Sequence, residues 1–497
     1  MSANSTPLKL EESLDPQDWE ALRELAHRMI DDVIEYHRTV RERPVWEPLS
    51  PQERETMNAP LPVDSSDPVD VYDEFARDIL SNPMGNIHPR FWGWVIGTGS
   101  TSGALAEMLA ATINPNVGGG DQIASLVEKQ VIDWFKQILG YPETASGVLV
   151  SGGSLANQTA LQVARYVTAR NAGVDVRKQG MINAPRYRIY CSAETHSSVE
   201  RSMDALGFGS DSINSIPVDD QYRIDIAALE AAIAADRAAG LTPFCVIGTA
   251  GTTNTGSVDD LNALADICER EKLWFHVDGA VGAVGAMSPA LRPLLAGMER
   301  ADSIAFDLHK WMYLTIGIGC VLVRNGKDHY RTYTLTPDYL KHGTRGLSGG
   351  DLWYSDYSAE LSRPYRALEV WMLLKEHGVG KYGRMMEQNV DQARYLADLV
   401  NASPKLELLA APQLMITCFR YRAGGIDDAT LDKVNEEMLF RVQEAGIAIP
   451  SGTRLHGKYA IRVCIVNHRT RREDLDLLVR EVIRIGDEVV REMAAKG

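Results

Sequence analysis

The sequence predicts an α/β fold in which a mostly parallel sheet is covered by helices and followed by a smaller α+β domain. Two observations carry this reading. From about residue 100, short β-branched and aromatic runs alternate with stretches of helical periodicity, the pattern of a parallel sheet whose crossovers are helices. Past about residue 367, long helical segments give way to a strand-like run and a charged terminal helix. A chain of 497 residues exceeds the usual size of a single core, and it is expected to divide into segments 1–100, 101–367 and 368–497.

Taken in order, Asp15-Pro16 reads as a helix start, an acceptor side chain before a proline at the first helical position. Trp19, Leu22, Leu25, Ala26, Met29, Ile30, Val33 and Ile34 then recur at helical spacing and give that helix one apolar face. The stretch from Pro44 to Asp70 holds six prolines and many acids, and is expected to be an extended connector. Strands are expected at Gly147 to Val150, Tyr187 to Tyr190, Cys245 to Gly248, Trp274 to Val277, Ser303 to Phe306 and Cys320 to Val323. Amphipathic stretches such as Ser154 to Ala169 and Asp225 to Ala239 separate several of them. The last part reads as helices at Glu369 to Val400 and Asp427 to Ala445, a strand at Tyr459 to Val466, and a terminal helix.

Composition excludes several classes. A net charge of −16 and a pI near 5.2 argue against a polyanion partner, because phosphate backbones and anionic membranes are bound by clustered Lys and Arg. The six cysteines are scattered through apolar segments with neither CxxC nor zinc-type spacing, so they are expected to be reduced core residues. The first residues are polar and acidic, unlike a secretory signal, and no apolar run approaches the ~20 residues of a membrane helix. A cytoplasmic location is the expectation.

Four motifs carry chemistry. In "VLVSGGSLANQTALQVAR" a strand, a glycine turn and a helix follow one another; the free N–H groups and dipole at Gly153, Ser154 and Leu155 make a phosphate site, with Ser154 able to cap. In "LWFHVDGA" a buried strand ends in Asp278, where open α/β sheets bind ligands, and Gly279 and Ala280 leave room for a flat ring. "CSAETHSSVE" places His196 past another strand end, able to stack on a ring or move a proton. In "SIAFDLHKWMYL" Lys310 stands between residues that normally lie inside; desolvation favours a neutral amine, which can form a Schiff base. Each has a plain alternative: a turn, a capping Asp, a loop histidine, and a lysine whose stem packs while its amine reaches water. Together, in this chain order, they supply what pyridoxal phosphate needs: a phosphate cradle, a stacking imidazole, a carboxylate for the ring nitrogen and an amine for the aldehyde.

At these residues the chain resembles the group II pyridoxal-phosphate-dependent amino acid decarboxylases, and among them the aromatic-L-amino-acid decarboxylase family. The segments that carry the resemblance are HPRFWGW, SGGSLAN, ETHSSVERS, GTAGTTNTGSVDDL, HVDGA, ADSIAFDLHKWM, TPDYLKH and LSRPYRALEVW, in order between residues 88 and 371, and Arg462 to Asp476 fits the terminal domain. The resemblance implies the aspartate-aminotransferase-like fold (fold type I), with a seven-stranded sheet in the large domain. It implies a homodimer with active sites at the subunit interface and the N-terminal segment packed on the partner subunit. It also implies that Lys310 is the Schiff-base lysine, Asp278 the partner of the pyridine nitrogen and His196 the ring-stacking catalytic histidine. By the same resemblance Ala280 touches the other ring face, Gly153, Ser154, Leu155 and Ser303 line the phosphate, Thr253 lies near the ring and His309 lies beside the lysine. Tyr339 matches the mobile-loop tyrosine that returns a proton to the substrate carbon, and the glycine-rich His342 to Gly350 suits such a loop.

The implied reaction is decarboxylation of an L-amino acid to its amine and carbon dioxide, with no metal. Trp92 and Trp94 fall where the family places aromatic pocket residues, which favours Trp, Tyr, Phe or a DOPA-like substrate. Against this stand Val281, where the family usually has an aromatic residue, and Asn114 and Asn116, which replace apolar ones. A non-aromatic substrate, aldehyde synthesis or another reaction on the same fold remain alternatives. So do a catalytically silent binding protein and a nicotinamide-dependent dehydrogenase, the last disfavoured because GxGxxG is absent.

Overall fold

The computed structural model describes residues 12–335 and 343–496. The chain forms two compact units, residues up to 43 together with 49–83, and residues 44–48 together with 84 onward.

In the first unit the helix Trp19–Arg38 starts at Asp18 rather than at Asp15, because the Asp18 carboxylate accepts the N–H groups of Glu20 and Ala21, both at 3.0 Å. The proline-rich stretch is not extended throughout. Ser50 and Glu53 form a reciprocal capping box that opens a short helix, Pro51–Thr56, and Asp67 caps a second, Pro68–Glu74. Tyr72 from that helix donates to Asp32 at 2.8 Å, and Arg28 pairs with Asp73 at 2.6 Å.

The second unit contains both sheets. The larger has seven strands, β1 Ser146–Val150, β2 Tyr187–Ser192, β3 Ile213–Ile216, β4 Thr242–Thr249, β5 Trp274–Asp278, β6 Ser303–Asp307 and β7 Gly319–Val323, in the order β1-β7-β6-β5-β4-β2-β3. All neighbours are parallel except β7, which runs against both β6 and β1. β3 is the strand that the sequence pattern misses, since Ile-Asn-Ser-Ile at a sheet edge is short and half polar. The register sets Thr249 opposite Asp278 and Asp278 opposite Ala305, so the carboxyl ends of β4, β5 and β6 come level. Every residue of β6 and β7 is buried, as expected for strands covered on both faces.

The smaller sheet is antiparallel, with strands β8 Leu406–Ala410, β9 Ile416–Tyr421, β10 Ser451–Leu455 and β11 Lys458–Cys464 in the order β10-β11-β9-β8. His456 and Gly457, at φ 48° and 80°, make the two-residue turn between β10 and β11. The long helix Arg366–Asn401, kinked at Gly378, packs on this sheet together with Asp428–Glu444 and Arg472–Lys496. All six cysteines are buried and unpaired. No helix among the described residues is long and apolar enough to cross a membrane.

Buried histidines make this fold sensitive to acid. His329, on the helix Gly326–Tyr333, lies with Nδ1 2.8 Å from the Ser146 hydroxyl and Nε2 2.7 Å from the Tyr357 carbonyl, so a neutral ring donates from Nε2 and accepts at Nδ1. Burial pushes its pKa from 6.5 down to about 4. The unfolded chain therefore takes up the proton first. The stabilisation is complete above pH 6.5 and is lost as the pH falls from 6.5 towards 4. His329→Gln is expected to flatten the fall of the thermal midpoint between pH 7 and pH 4.5; an unchanged slope contradicts this account.

Candidate active site

Lys310 stands just beyond the end of β6, and its ammonium meets a carboxylate supplied by the same strand. Lys310 Nζ lies 2.8 Å from Asp307 Oδ2, with side-chain exposures of 19% and 2%. A charge in so dry a place requires such a partner. The residues that follow, Trp311 to Leu314, are buried. The Trp311 indole N–H and the Tyr313 hydroxyl both donate to Asn389 Oδ1, at 3.1 and 2.6 Å, and Tyr313 adopts a left-handed conformation at φ 58°. These anchors fix the backbone that carries the lysine.

The glycine turn after β1 lies against the same carboxylate. A Cβ at Gly153 would sit 2.7 Å from Asp307 Oδ2 and 3.2 Å from the Ala280 methyl, and one at Gly152 would sit 3.2 Å from His309 Cε1. The helix Gly153–Asn171 begins here with Gly152 as its N-cap residue and no side-chain cap. Ser154 is already inside the first turn and exposed, so it does not cap the helix as the sequence suggested. The first N–H groups of the helix are thus left for an outside acceptor. His309 turns its Nδ1 to the Ile318 carbonyl at 2.9 Å, which leaves it next to the turn.

Asp278 ends β5 and is 4% exposed. Its Oδ1 accepts the N–H of Ala280 at 3.1 Å and its Oδ2 accepts the side-chain N–H of Asn157 at 3.0 Å. His196 lies in the loop after β2 and accepts the Ser198 N–H at Nδ1, 3.2 Å away, which puts the proton of the neutral ring on Nε2. Crowding by surrounding atoms holds the His196 imidazolium below its usual 6.5; Asp278 opposes this, Lys310 adds to it, and Asp307 opposes it. The structure thus brings Lys310, Asp278 and His196 together at the carboxyl ends of β6, β5 and β2, beside the turn at Gly153.

Residues 51–422 match the pyridoxal-dependent decarboxylase conserved domain. The chain belongs to that family. It is 34% identical, over 95% of its length and 96% of the relative's, to an aromatic-L-amino-acid decarboxylase of Bacillus atrophaeus. It is 29% identical to tyrosine decarboxylase 3 of Petroselinum crispum, over 93% and 92% of the two chains. Among solved structures it is similar to Oryza sativa TDC with PLP and tryptamine, at a TM-score of 0.89 and 26% identity over 96% of this chain and 99% of the other. The protein is a pyridoxal-phosphate-dependent amino acid carboxy-lyase. Its own geometry fits that cofactor: an uncapped helix end with no room for a Cβ, an amine, and a carboxylate at an adjacent strand end.

Some expected site residues of the decarboxylase lie elsewhere. Ser303 opens β6 rather than closing it, roughly 13 Å of strand away from Asp307. Its hydroxyl is taken by Trp274 Nε1 and His276 Nδ1, each at 2.9 Å, so it does not line the phosphate turn. Trp92 is a core residue of the C-terminal part, 1% exposed, with its indole N–H on Thr470 Oγ1 at 3.1 Å. Trp94 lines a separate apolar groove of about 610 Å³ with Trp46, Phe91, Phe440 and Tyr459. Thr253 is half-buried in the turn after β4, between the bridged residues Ala250 and Val258, and Leu155 is half-buried in the first turn of its helix. Tyr339 and His342 lie outside the described residues. From Gly343 onward the glycine-rich segment makes a turn that rests on Asp121, whose N–H donates to the Leu347 carbonyl at 3.0 Å.

The residues held against the aromatic reading also change meaning. Asn116 Oδ1 accepts the backbone N–H groups of Gly118 and Arg363, both at 3.0 Å, so it fastens a loop. Asn114 is the left-handed cap of the helix Thr101–Ile113 at φ 43°, and Val281 is buried in the main core.

Two residues escaped the sequence reading. Asp307 stands three residues before the lysine in "DLHK", and Asn157 is the amide on the buried face of the helix Gly153–Asn171. In the decarboxylase, Asp307→Ala is expected to lower the unfolding free energy by about 3 kcal/mol in urea, the scale of leaving a buried ion without its partner. Asp307→Asn is expected to lose less, because it keeps a hydrogen-bond acceptor. Wild-type stability in the alanine variant contradicts the pairing.

Proposed function

We propose that the enzyme decarboxylates an aromatic L-amino acid to the corresponding amine, working as a cytoplasmic homodimer with Tyr339 as its proton donor. The observation that carries the aromatic reading is the 34% identity, over almost the whole chain, to an aromatic-L-amino-acid decarboxylase, together with the commitment of Asn116 Oδ1 to backbone N–H groups. The homodimer is supported by Met108, Leu109, Ile113, Ile123 and Leu126, large apolar side chains exposed on the helices Thr101–Ile113 and Ile123–Leu139 that flank the Asn114 to Gln122 loop. Packing of the N-terminal segment on a partner subunit is supported by exposed Trp19, Leu22 and Ile34 on its first helix. A reducing compartment is supported by the unpaired cysteines.

Bound pyridoxal phosphate supplies the electron sink that takes up the charge left when carbon dioxide departs. In this reading Lys310 would hold the cofactor through its amine, and Asp307 would receive that amine as an ammonium whenever it is not so bound. Asp278 accepts a hydrogen bond from the ring nitrogen and so favours the protonated ring. His196, neutral with its proton on Nε2, covers one ring face and Ala280 the other. Tyr339 gives its hydroxyl proton to the substrate Cα and recovers one from solvent. The glycine turn at Gly152 and Gly153 holds the phosphate, with Ser154 and Leu155 contributing N–H groups and His309 and Thr253 closing the sides.

Incubation of the loaded enzyme with each common L-amino acid is expected to release carbon dioxide and an equal amount of amine from Trp, Tyr or Phe. Turnover confined to acidic or short aliphatic substrates overturns the aromatic reading. Tyr339→Phe is expected to divert product from amine towards aldehyde, with consumption of oxygen and release of ammonia and hydrogen peroxide. An unchanged amine yield refutes the role of Tyr339.

A further inference from the structure

Asp278 is the last member of a chain of side chains, buried beyond the half-buried Trp274, that no step above uses. The Trp274 indole N–H reaches Ser303 Oγ at 2.9 Å, Ser303 Oγ lies 2.9 Å from His276 Nδ1, and His276 Nε2 lies 2.9 Å from Asn157 Oδ1. Asn157 Nδ2 then reaches Asp278 Oδ2 at 3.0 Å. Ser303, His276 and Asn157 are buried, with no more than 1% exposure.

The direction of this chain is fixed from its carboxylate end. An indole N–H only donates, so Ser303 Oγ accepts from Trp274 and keeps its own proton and a second lone pair for its contact with His276 Nδ1. A carboxylate only accepts, so Asn157 turns its NH₂ to Asp278 and its oxygen to His276, which must then donate from Nε2. With its proton on Nε2, the neutral ring accepts at Nδ1, which is where the Ser303 hydroxyl then donates. Burial pushes the His276 pKa down to about 4, in keeping with a ring that stays neutral. The second N–H of Asn157 faces Ser198 Oγ at 3.2 Å, and the N–H of Ser198 is the group that holds His196.

We propose that Trp274, Ser303, His276 and Asn157 form a one-way hydrogen-bond relay whose function is to aim the Asp278 carboxylate at the cofactor ring nitrogen and, through Ser198, to set His196 over the ring. These are positioning residues, none of them placed to touch the substrate. Each link donates towards Asp278, and successive bonds polarised in one sense strengthen one another. The sheet supplies the rigidity, because Trp274 and His276 are alternate residues of β5 and Ser303 pairs with His276 on β6. The Asn157 amide is the junction, bonded both to the carboxylate and to Ser198, whose N–H holds His196.

The inference rests on Asp278 being the partner of the ring nitrogen, and the test separates the two. In wild-type apoprotein labelled with ¹⁵N-histidine, His276 is expected to carry its proton on Nε2 and to stay neutral through pH 6; a proton on Nδ1 overturns the relay whatever the variants do. Asn157→Asp, of nearly the same shape but without the donor to Asp278, is expected to weaken pyridoxal phosphate binding by about tenfold or more, the scale at which outer partners of a binding group act. It should also shift the visible absorption of the loaded enzyme and lower kcat with little change in KM. Ser303→Ala is expected to act in the same sense more weakly, and to mix the His276 tautomers. Wild-type cofactor affinity and absorption in both variants overturn the relay, as does a loss of thermal stability without either change. Asp278→Ala is the control. If it binds the cofactor with wild-type absorption, the assignment of Asp278 falls; if it fails as expected while Asn157→Asp and Ser303→Ala do not, only the relay falls.

Discussion

The contact between the Lys310 ammonium and the Asp307 carboxylate is the interaction on which the rest of the site depends. Both groups come from the end of one fully buried strand, and 2.8 Å separates them. Without Asp307 a lysine so placed would turn away to water, and the backbone from Trp311 to Tyr313 would have nothing to hold in place. The same carboxylate explains why the turn at Gly153 carries no side chain, since a Cβ there would press on Asp307 Oδ2. One buried acid thus sets the amine and the phosphate turn side by side.

The parallel sheet does the remaining assembly. Because β4, β5 and β6 run in the same direction with level ends, residues far apart in sequence arrive at one edge without any special loop. Asp278 and Asp307 bring two negative charges to this edge and Lys310 one positive charge, while His196 stays neutral. The relay from Trp274 to Asp278 extends this ordering into the sheet, where Asn157 joins the carboxylate side of the site to the imidazole side.

How much of this was legible in the sequence depends on the kind of signal. The strands of the large sheet were readable because residues buried on both faces leave unbroken apolar runs, and the short polar edge strand Ile213–Ile216 was not, because it lacks one. Lys310, Asp278 and His196 were readable as polar residues set just past such runs. Ser303 was placed at the phosphate by resemblance alone, although the strand pattern already had it opening β6, at the end away from Asp307. Trp92 was misplaced because an indole that caps a core and one that lines a pocket have the same local sequence. Asp307 and Asn157 went unnoticed for the converse reason: their partners, a lysine on the next turn and a carboxylate on another strand, exist only in three dimensions. The capping box at Ser50 and Glu53 was present in the sequence, but the surrounding prolines pointed to an extended chain.

The nitrogen of Lys310 is the one proposed to hold pyridoxal phosphate. Borohydride reduction of the loaded protein, followed by proteolysis and mass spectrometry of the peptides, tests it directly. The account predicts a stable pyridoxyl adduct on the peptide containing Ser303 to Leu314, at Lys310. An adduct on any other lysine, or none on a protein that has turned yellow with cofactor, would contradict it.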